Sequence, residues 1–197
     1  EQAMLDGEVD DEVLVRGAVS MGLDRGDIMV CRRLIHMMEL LIGKYKVKNI
    51  HFFDDLFVVN KKRLGEIADR FVEKKFNITA SCAVRANLVD DELCVLLKKM
   101  NINEVMFGAE SFSERILEEL KAGTATVGQN QRALDILSAH GIKANITIIL
   151  KSPEETREDL VATWRAIFSN LRAKKINKVG WGFLRPYPGC EYWAEAV

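Results

Sequence analysis

One short stretch of the sequence decides how the rest of the chain is interpreted. It reads Val47-Lys48-Asn49-Ile50-His51-Phe52-Phe53-Asp54-Asp55. The β-branched and aromatic side chains at its centre predict a strand, and two adjacent carboxylates stand where that strand ends. Asn60 then opens an amphipathic helix that carries Leu64, Ile67 and Phe71 at helical spacing. This stretch is therefore a strand followed by a helix, with acidic side chains between them.

The same alternation of strand and helix extends in both directions from this unit. Further strands are predicted at 12–16, 76–82, 103–108, 142–150 and 176–184, and helices at 29–46, 91–100, 113–121, 127–140 and 152–172. For the last helix, Ser152, Pro153 and Glu155 predict the start, because they match a capping box with proline at the first helical position. Strands that alternate with helices pair in parallel through right-handed crossovers. The fold class is thus α/β, and the sheet is either open and doubly wound or barrel-like.

In both arrangements, a ligand site is expected at the carboxyl ends of the strands. Polar side chains follow several of the predicted strands at that end, namely Asp54, Asp55, Arg85, Glu110, Ser111 and Arg185. We therefore expect the functional site to be built from the loops that leave the strands. The alternative for each residue is an ordinary polar loop position.

Length and composition limit the classes of protein to which the chain can belong. Its 197 residues suit a single domain, with an acidic extension at 1–12 and a turn and short helix at 185–197. The 28 Lys and Arg nearly balance the 29 Asp and Glu, so there is no general attraction to nucleic acid or anionic membranes, although a local basic patch is compatible with this balance. No apolar run approaches the ~20 residues that span a bilayer, and we expect a cytoplasmic protein. The four cysteines lack metal-site spacing and are expected to be reduced, mostly buried thiols.

Five sequence motifs follow one another between about 47 and 190. They are His51-Phe52-Phe53-Asp54-Asp55-Leu56-Phe57 with Asn60 and Arg63, then Arg85, then Gly108-Ala109-Glu110-Ser111-Phe112-Ser113 with Leu117, Leu120-Lys121 and Thr124, then Pro153-Glu154-Glu155-Thr156, and finally Pro186-Tyr187-Pro188-Gly189. This series resembles the core domain of the radical S-adenosylmethionine (SAM) enzymes, in particular the subgroup often fused to a cobalamin-binding domain. The resemblance implies an incomplete (β/α)6 barrel, SAM as cofactor, a small organic substrate, and additional N- or C-terminal domains in a longer parent chain.

The resemblance also implies roles for individual residues. Asp54 and Asp55 stand where the family contacts the methionyl amine of SAM, and Arg85 stands where a carboxylate would be bound. Glu110 and Ser111 match the position that reaches the ribose or the methionyl part. We interpret these five residues as cofactor-binding. The alternatives are a solvated turn for the aspartates, a surface ion pair for Arg85, and helix capping for Glu110 and Ser111.

The cluster loop of the family departs from its usual pattern in this chain. The segment reads Arg16-Gly17-Ala18-Val19-Ser20-Met21-Gly22-Leu23-Asp24-Arg25-Gly26. Ala18, Gly22 and Arg25 occupy the three positions at which the family has the cysteines that hold a 4Fe-4S cluster. Ala and Gly offer no donor atom, and Arg offers only a permanent cation. As written, the chain is therefore expected to hold no cluster, to generate no radical, and to contain neither a metal site nor a catalytic residue.

Other functions remain open at the level of the sequence. The chain could be a radical SAM domain with an altered cluster loop, a non-catalytic scaffold or regulatory domain on the same barrel, or a metal-free β/α enzyme in which Lys151, at the end of the fifth strand, would be the catalytic candidate. Of the remaining residues, Trp181 is expected to pack in the barrel interior or against its covering helices, and stacking on an adenine is the alternative. Asn130 to Arg132 are expected to form a solvated helix face.

Overall fold

The computed structural model describes residues 12–15, 28–54, 57–189 and 192. Six strands form one sheet in chain order, from β1 to β6, and every neighbouring pair is parallel. The strands are β1 (Glu12–Val15), β2 (Asn49–Phe52), β3 (Thr79–Ala83), β4 (Ile102–Glu110), β5 (Lys143–Leu150) and β6 (Ile176–Phe183). A doubly wound sheet would reverse its strand order at a switch point, whereas this sheet advances in a single direction. The barrel-like alternative is therefore confirmed, and no pairing closes β6 onto β1 within the described residues.

Six helices connect the strands as crossovers. They are α1 (Ile28–Tyr45), α2 (Lys61–Lys74), α3 (Asp91–Lys99), α4 (Glu114–Lys121), α5 (Val127–Ala139) and α6 (Arg157–Arg172), with a 3-10 turn at Ala86–Leu88 before α3. As predicted, Asn60 opens α2, which it caps by accepting from the Arg63 amide. Asp90 caps α3 by accepting from the Leu93 amide. Among the described helices, none combines the length and apolarity needed to cross a bilayer.

The core lies between the sheet and the helices. Alternate strand residues point to the helices and are buried, as shown by Phe52, Phe107 and Ile146, each at most 2% exposed. The helices contribute apolar stripes such as Leu64, Ile67 and Phe71 on α2. Burial of this apolar surface is the main stabilising contribution to the fold.

The opposite, concave face of the sheet is more polar. His51 Nδ1 lies 2.7 Å from Ser81 Oγ, and the Asn145 amide donates to Glu104 Oε1 at 2.5 Å. These four residues belong to four adjacent strands, from β2 to β5. The polar side chains that alternate with the buried ones therefore line the inside of the half-barrel, and they satisfy one another through hydrogen bonds.

The predicted start of the last crossover helix is wrong. Thr156, not Ser152, is the N-cap of α6, and its hydroxyl together with the side chain of Asp159 forms the capping box. Ser152 is buried in the preceding loop and donates its hydroxyl hydrogen bond to Glu119. The chain offers two cap-like signals four residues apart, and Ser152 forms a tertiary hydrogen bond instead of capping.

The expectation for Trp181 is also wrong, because this side chain is 61% exposed and has Phe183 as its ring neighbour at 5.6 Å. Within the described residues β6 is an edge strand that pairs only with β5, so little covers Trp181. At the C-terminus, Pro188 and Gly189 form a turn. The short terminal helix that we predicted falls mostly outside the described residues.

Candidate functional site

A cavity of about 500 Å³ opens at the carboxyl ends of β3 and β4. We call it the rim cavity. It is lined by the end of β3 and the turn after it, the end of β4, the loop after α4 and the first turn of α5, through Ala83, Val84, Arg85, Ala86, Asn87, Gly108, Glu110, Lys121, Thr124, Ala125 and Asn130. This is the end of the sheet at which the sequence predicted a ligand site.

Glu110 owes its position in the cavity to an unusual turn at the end of β4. Its φ is 58°, and the Ser111 amide donates to the Ala109 carbonyl at 2.7 Å across it. The pairing of β4 with β5 shifts register between Gly108 and Glu110. Non-glycine residues rarely adopt such φ values, and strained positions of this kind cluster at functional sites. The turn directs the Glu110 carboxylate back over the strand.

Gly108 makes room for that carboxylate. A Cβ atom placed on Gly108 would lie 2.1 Å from Glu110 Oε1, which is far inside van der Waals contact. Only a glycine at this position allows the Glu110 side chain to fold over β4 into the rim cavity. The two residues therefore act as one unit, in which one supplies the carboxylate and the other supplies the space.

The rim cavity contains charges of both signs. Glu110 Oε1 lies 3.0 Å from Lys121 Nζ, and the Glu110 side chain is only 12% exposed. Arg85 also lines the cavity, exposed, at the start of the 3-10 turn, and it forms no ion pair with any described residue. A ligand with both a carboxylate and hydrogen-bond donors would find a partner for each in the cavity.

Asn130 is the cavity residue that sequence reasoning missed. We predicted a solvated face for it, but it is fully buried in the first turn of α5, and its amide donates to the Ala109 carbonyl at 2.9 Å. This bond fixes the orientation of the amide. Its Oδ1 atom is buried and accepts no hydrogen bond from any residue that the structure describes, at a cost that a ligand donor would remove. The helical spacing could have predicted this burial, because Asn130 lies on the same face of α5 as the buried residues Ala133, Leu134 and Leu137.

The structure separates the other predicted site residues. Ser111 is fully buried next to the cavity wall, where its hydroxyl bonds to Thr163 Oγ1 at 3.1 Å and accepts from the Ser113 amide. Asp54 is half-buried at the end of β2, and its carbonyl accepts from the Phe57 amide at 3.2 Å. Neither residue lines the rim cavity. Asp55 and the cluster-loop positions Ala18, Gly22 and Arg25 lie outside the described residues.

Lys151 does not occupy a site suited to a catalytic lysine. It is exposed, and its ammonium lies 4.9 Å from the centre of the Phe183 ring. A Schiff-base or general-base lysine needs burial or a neighbouring cation to activate it. The geometry therefore gives no support to a metal-free lysine enzyme.

Three of the cysteines, Cys31, Cys82 and Cys94, are free and buried. Burial raises the pKa of the Cys82 thiol to about 12 and, together with the nearby carboxylates, that of Cys94 to about 11. Thiols of this kind are neutral and unreactive at physiological pH. The described residues contain no group of three or more His, Cys, Asp or Glu side chains arranged to hold a metal ion.

Comparison with known families adds an independent finding. The sequence profile of the radical SAM superfamily matches residues 18–167. An uncharacterized methyltransferase of Pyrococcus horikoshii is 32% identical over 167 residues, which are 84% of this chain and 35% of that protein. The anaerobic magnesium-protoporphyrin IX monomethyl ester cyclase of Rubrivivax gelatinosus is 22% identical over 166 residues, or 83% of this chain and 29% of that protein.

A solved structure shares the same fold. The radical SAM methyltransferase TsrM of Kitasatospora setae, solved with cobalamin and a 4Fe-4S cluster, superposes with a TM-score of 0.69 at 17% identity. The match covers 80% of this chain and 32% of that one. The chain therefore spans about a third of the length of these three proteins.

Proposed function

Because this chain belongs to the radical SAM superfamily, we propose that it binds SAM in the rim cavity and that, as its sequence stands, it does not hold the family's 4Fe-4S cluster. It would bind the ligand without generating the radical. The parent reaction of the lineage would be radical group transfer or rearrangement on a small organic molecule.

The single observation that carries the proposed binding is the Asn130 amide oxygen. It is buried, oriented by the bond to Ala109, and has no donor among the described residues, in a cavity that is also lined by Glu110 and Arg85. The volume of about 500 Å³ falls within the range of small-molecule sites, ~300–1,000 Å³. A polar ligand with a donor at this point would complete the hydrogen bonding of the wall.

The chemistry of SAM matches the cavity group by group. Its carboxylate suits the Arg85 guanidinium, and its ribose hydroxyls suit Glu110 and the Asn130 oxygen as acceptors. Lys121 would give up part of its ion pair with Glu110 when these hydroxyls bind. Asp54, which lies after β2 and outside the rim cavity, and Asp55 beside it in sequence are proposed to contact the methionyl ammonium where SAM extends beyond the cavity. Ser111 would act indirectly, because its bonds to Thr163 and Ser113 hold the turn that carries Glu110.

The residues at the cluster-loop positions do not fit an iron–sulfur cluster. Thiolate sulfur is the donor that such clusters require, and Ala18, Gly22 and Arg25 provide none. When bound together, SAM and the cluster supply the radical chemistry of the family. In this chain we assign to the residues of the rim cavity and to Asp54 only the binding and orientation of the ligand.

Calorimetry with S-adenosylhomocysteine, and then with SAM, tests the binding proposal. The wild-type protein should release heat, and Glu110→Gln should weaken binding at least about tenfold, or 1.4 kcal/mol. Glu118→Gln is the matched control, because it makes the same chemical change at an exposed position on α4. No heat and no shift in the melting temperature of the wild type would contradict the proposal.

Anaerobic iron–sulfur reconstitution tests the proposal about the cluster. The wild type is expected to remain colourless. A triple variant, Ala18→Cys, Gly22→Cys and Arg25→Cys, is expected to turn brown and to retain iron and sulfide after gel filtration. A brown wild type would contradict the loss of the cluster, and a colourless triple variant that still binds S-adenosylhomocysteine would contradict the alignment of the loop.

A scaffold role is the second candidate, and the exposed aromatic side chains of β6 favour it. Trp181 is 61% and Phe183 49% exposed, as would suit a surface that meets another domain or protein. If calorimetry shows no SAM binding, this role becomes the better account. For either role we propose a cytoplasmic location, supported by the free, buried thiols of Cys31, Cys82 and Cys94.

A further inference from the structure

The loops that enter β2 to β6 carry an unusual concentration of positive charge. Because all the strands are parallel, these loops lie together at the end of the sheet opposite the rim cavity. We call this end the basal face and define it by residues 44–48, 74–78, 98–101, 140–143 and 172–175. It contains eleven Lys and Arg and no Asp or Glu, namely Lys44, Lys46, Lys48, Lys74, Lys75, Lys98, Lys99, Lys143, Arg172, Lys174 and Lys175. The chain as a whole is almost neutral.

Interactions within the fold explain only part of this charge. Three of the cations have carboxylate partners, in the pairs Lys74–Glu39, Lys99–Asp69 and Lys175–Asp135. The other eight form no ion pair with any described residue, and all eight are exposed. Like charges held together without partners repel one another and create a positive potential that a polyanion would neutralise.

The helix macrodipole explains the positions of only some of the basal-face cations. Lys44, Lys74, Lys98, Lys99 and Arg172 lie in the last turns of their helices, where the macrodipole favours cations. The other six lie beyond the helix ends, where that effect fades. Lys46, Lys75 and Lys174 even have φ values of 56°, 50° and 57°, at which glycine is less strained. The backbone therefore does not favour lysine at these three positions.

We infer that the basal face binds the sugar-phosphate backbone of a nucleic acid. Ten of the eleven cations are lysines, which contact phosphates as point charges and carry little sequence information. From β2 to β6 the face spans four strand spacings, or ~19 Å. A duplex presents about one phosphate per 1.7 Å of axis, and so offers enough phosphates for all eight unpaired cations. A cavity of about 380 Å³ between Lys143, Lys174 and Lys175 gives the face a recess.

The burial of the apolar side chains on the basal face favours a nucleic acid over a membrane as its partner. Four of the apolar side chains between the lysines, Val47, Ile78, Met100 and Ile142, are buried, and Tyr45 and Phe76 are partly buried against the core. Proteins that lie on a membrane insert apolar side chains below the headgroups, and these four are not available for insertion. The recognition would depend on charge and would not discriminate between sequences.

Fluorescence anisotropy with a labelled RNA hairpin, and with a DNA duplex as second probe, tests this inference on the whole chain. The wild type should bind the hairpin. If about five phosphates are neutralised, the log–log salt slope should be near −4, so raising the salt from about 50 to 200 mM should weaken binding several-hundred-fold.

A charge-reversal variant locates the binding surface. Lys46→Glu, Lys48→Glu, Lys143→Glu and Lys174→Glu, made together, should weaken binding at least about a hundredfold. The matched control is Lys62→Glu, Arg132→Glu, Arg157→Glu and Arg165→Glu, which changes the net charge equally at exposed positions away from the basal face and should weaken binding less than tenfold. If the first variant melts early, the same four lysines changed to Gln replace it.

Three outcomes would overturn the inference. They are no hairpin binding at low salt, equal losses in the basal and control variants, and binding to phosphatidylserine vesicles or polyglutamate in preference to RNA and DNA. None of these results depends on SAM binding, so this inference and the proposed function are tested separately.

Discussion

At the scale of single residues, the site depends on one strained turn. Glu110 has a left-handed φ and folds its carboxylate over a glycine. Strain of this kind costs about 1–3 kcal/mol and persists only where the surrounding structure holds it. Here the surroundings are the buried bonds of Ser111 to Thr163 and of Asn130 to Ala109. The rim cavity is thus preorganised by hydrogen bonds that are already formed before a ligand binds.

Gly108→Ala tests the role of this turn in binding. The new methyl group would meet Glu110 Oε1 at 2.1 Å, and the carboxylate, at the end of a flexible side chain, would move aside. We expect affinity for S-adenosylhomocysteine to fall about tenfold in calorimetry, with little change in melting temperature. Gly128→Ala is the control, because its nearest atom would be Thr126 Oγ1 at 3.8 Å. Unchanged affinity in Gly108→Ala would contradict the role of Glu110.

The charge of Asp159 is expected to contribute to stability, because its carboxylate has several hydrogen-bond partners. Its carboxylate accepts from Ser113 Oγ at 2.6 Å and from the Thr156 hydroxyl and amide, and it pairs with Arg115. These bonds, with that from Ser113 the strongest cause, hold the pKa of Asp159 well below its usual value. The group joins the start of α4 to the start of α6, and its effect on stability should depend on pH.

We expect Asp159→Asn to lower the free energy of unfolding by about 2–3 kcal/mol at pH 7, because hydrogen bonds to a charged group are lost. Because the pKa of Asp159 is lower in the folded state than in the unfolded chain, where it is ~3.9, its carboxylate stabilises the fold at pH values above ~3.9. This stabilisation is lost as the pH falls below that value. In urea unfolding, the difference between wild type and variant should therefore be constant from about pH 7 to 5 and shrink below about pH 4. A difference that grows on acidification would show the opposite linkage.

At the scale of elements, the start of α6 shows how two local signals compete. Thr156 accepts from the Asp159 amide, and the Asp159 carboxylate accepts from the Thr156 amide, which satisfies donors that the first turn leaves free. Ser152 lies four residues earlier and bonds to Glu119. The tertiary partner decides which of the two signals becomes the cap.

Thr156→Ala should therefore cost about 1 kcal/mol of unfolding free energy in urea denaturation. Thr156→Ser keeps the hydroxyl and should stay within about 0.5 kcal/mol of the wild type. An alanine variant as stable as the wild type would mean that the capping box contributes nothing to the stability of α6.

Local patterns in the sequence predicted the strands and the sheet, but only part of the rim cavity and not the start of α6. The alternation of β-branched runs and amphipathic stripes was sufficient to place all six strands and the parallel sheet, because periodicity is local. The cavity residues Arg85 and Glu110 followed from their positions at strand ends. Asn130 did not, because its burial depends on how α5 packs over Ala109, and the start of α6 did not, because Ser152 meets Glu119 33 residues away in sequence.

At the scale of the whole molecule, the two ends of the half-barrel have different surfaces, and β6 forms an unpaired edge of the sheet within the described residues. The rim cavity lies at one end and the basal face at the other. Within the described residues β6 pairs only with β5, so its other side presents unpaired amides and carbonyls. Trp181 and Phe183 are largely exposed on the same strand. An edge strand with exposed aromatic side chains is a surface prone to pairing with another chain.

We expect the isolated chain to self-associate through this edge. Sedimentation equilibrium should show a concentration-dependent increase in mass for the wild type, and Trp181→Lys should reduce it, because a lysine on an edge strand opposes pairing. Since Trp181 is 61% exposed, the free energy of unfolding should change by less than about 1 kcal/mol. Phe168→Lys is the matched control, because Phe168 is 56% exposed but lies on α6. Equal reduction by both variants would place the contact on general hydrophobic surface instead of on the edge of the half-barrel.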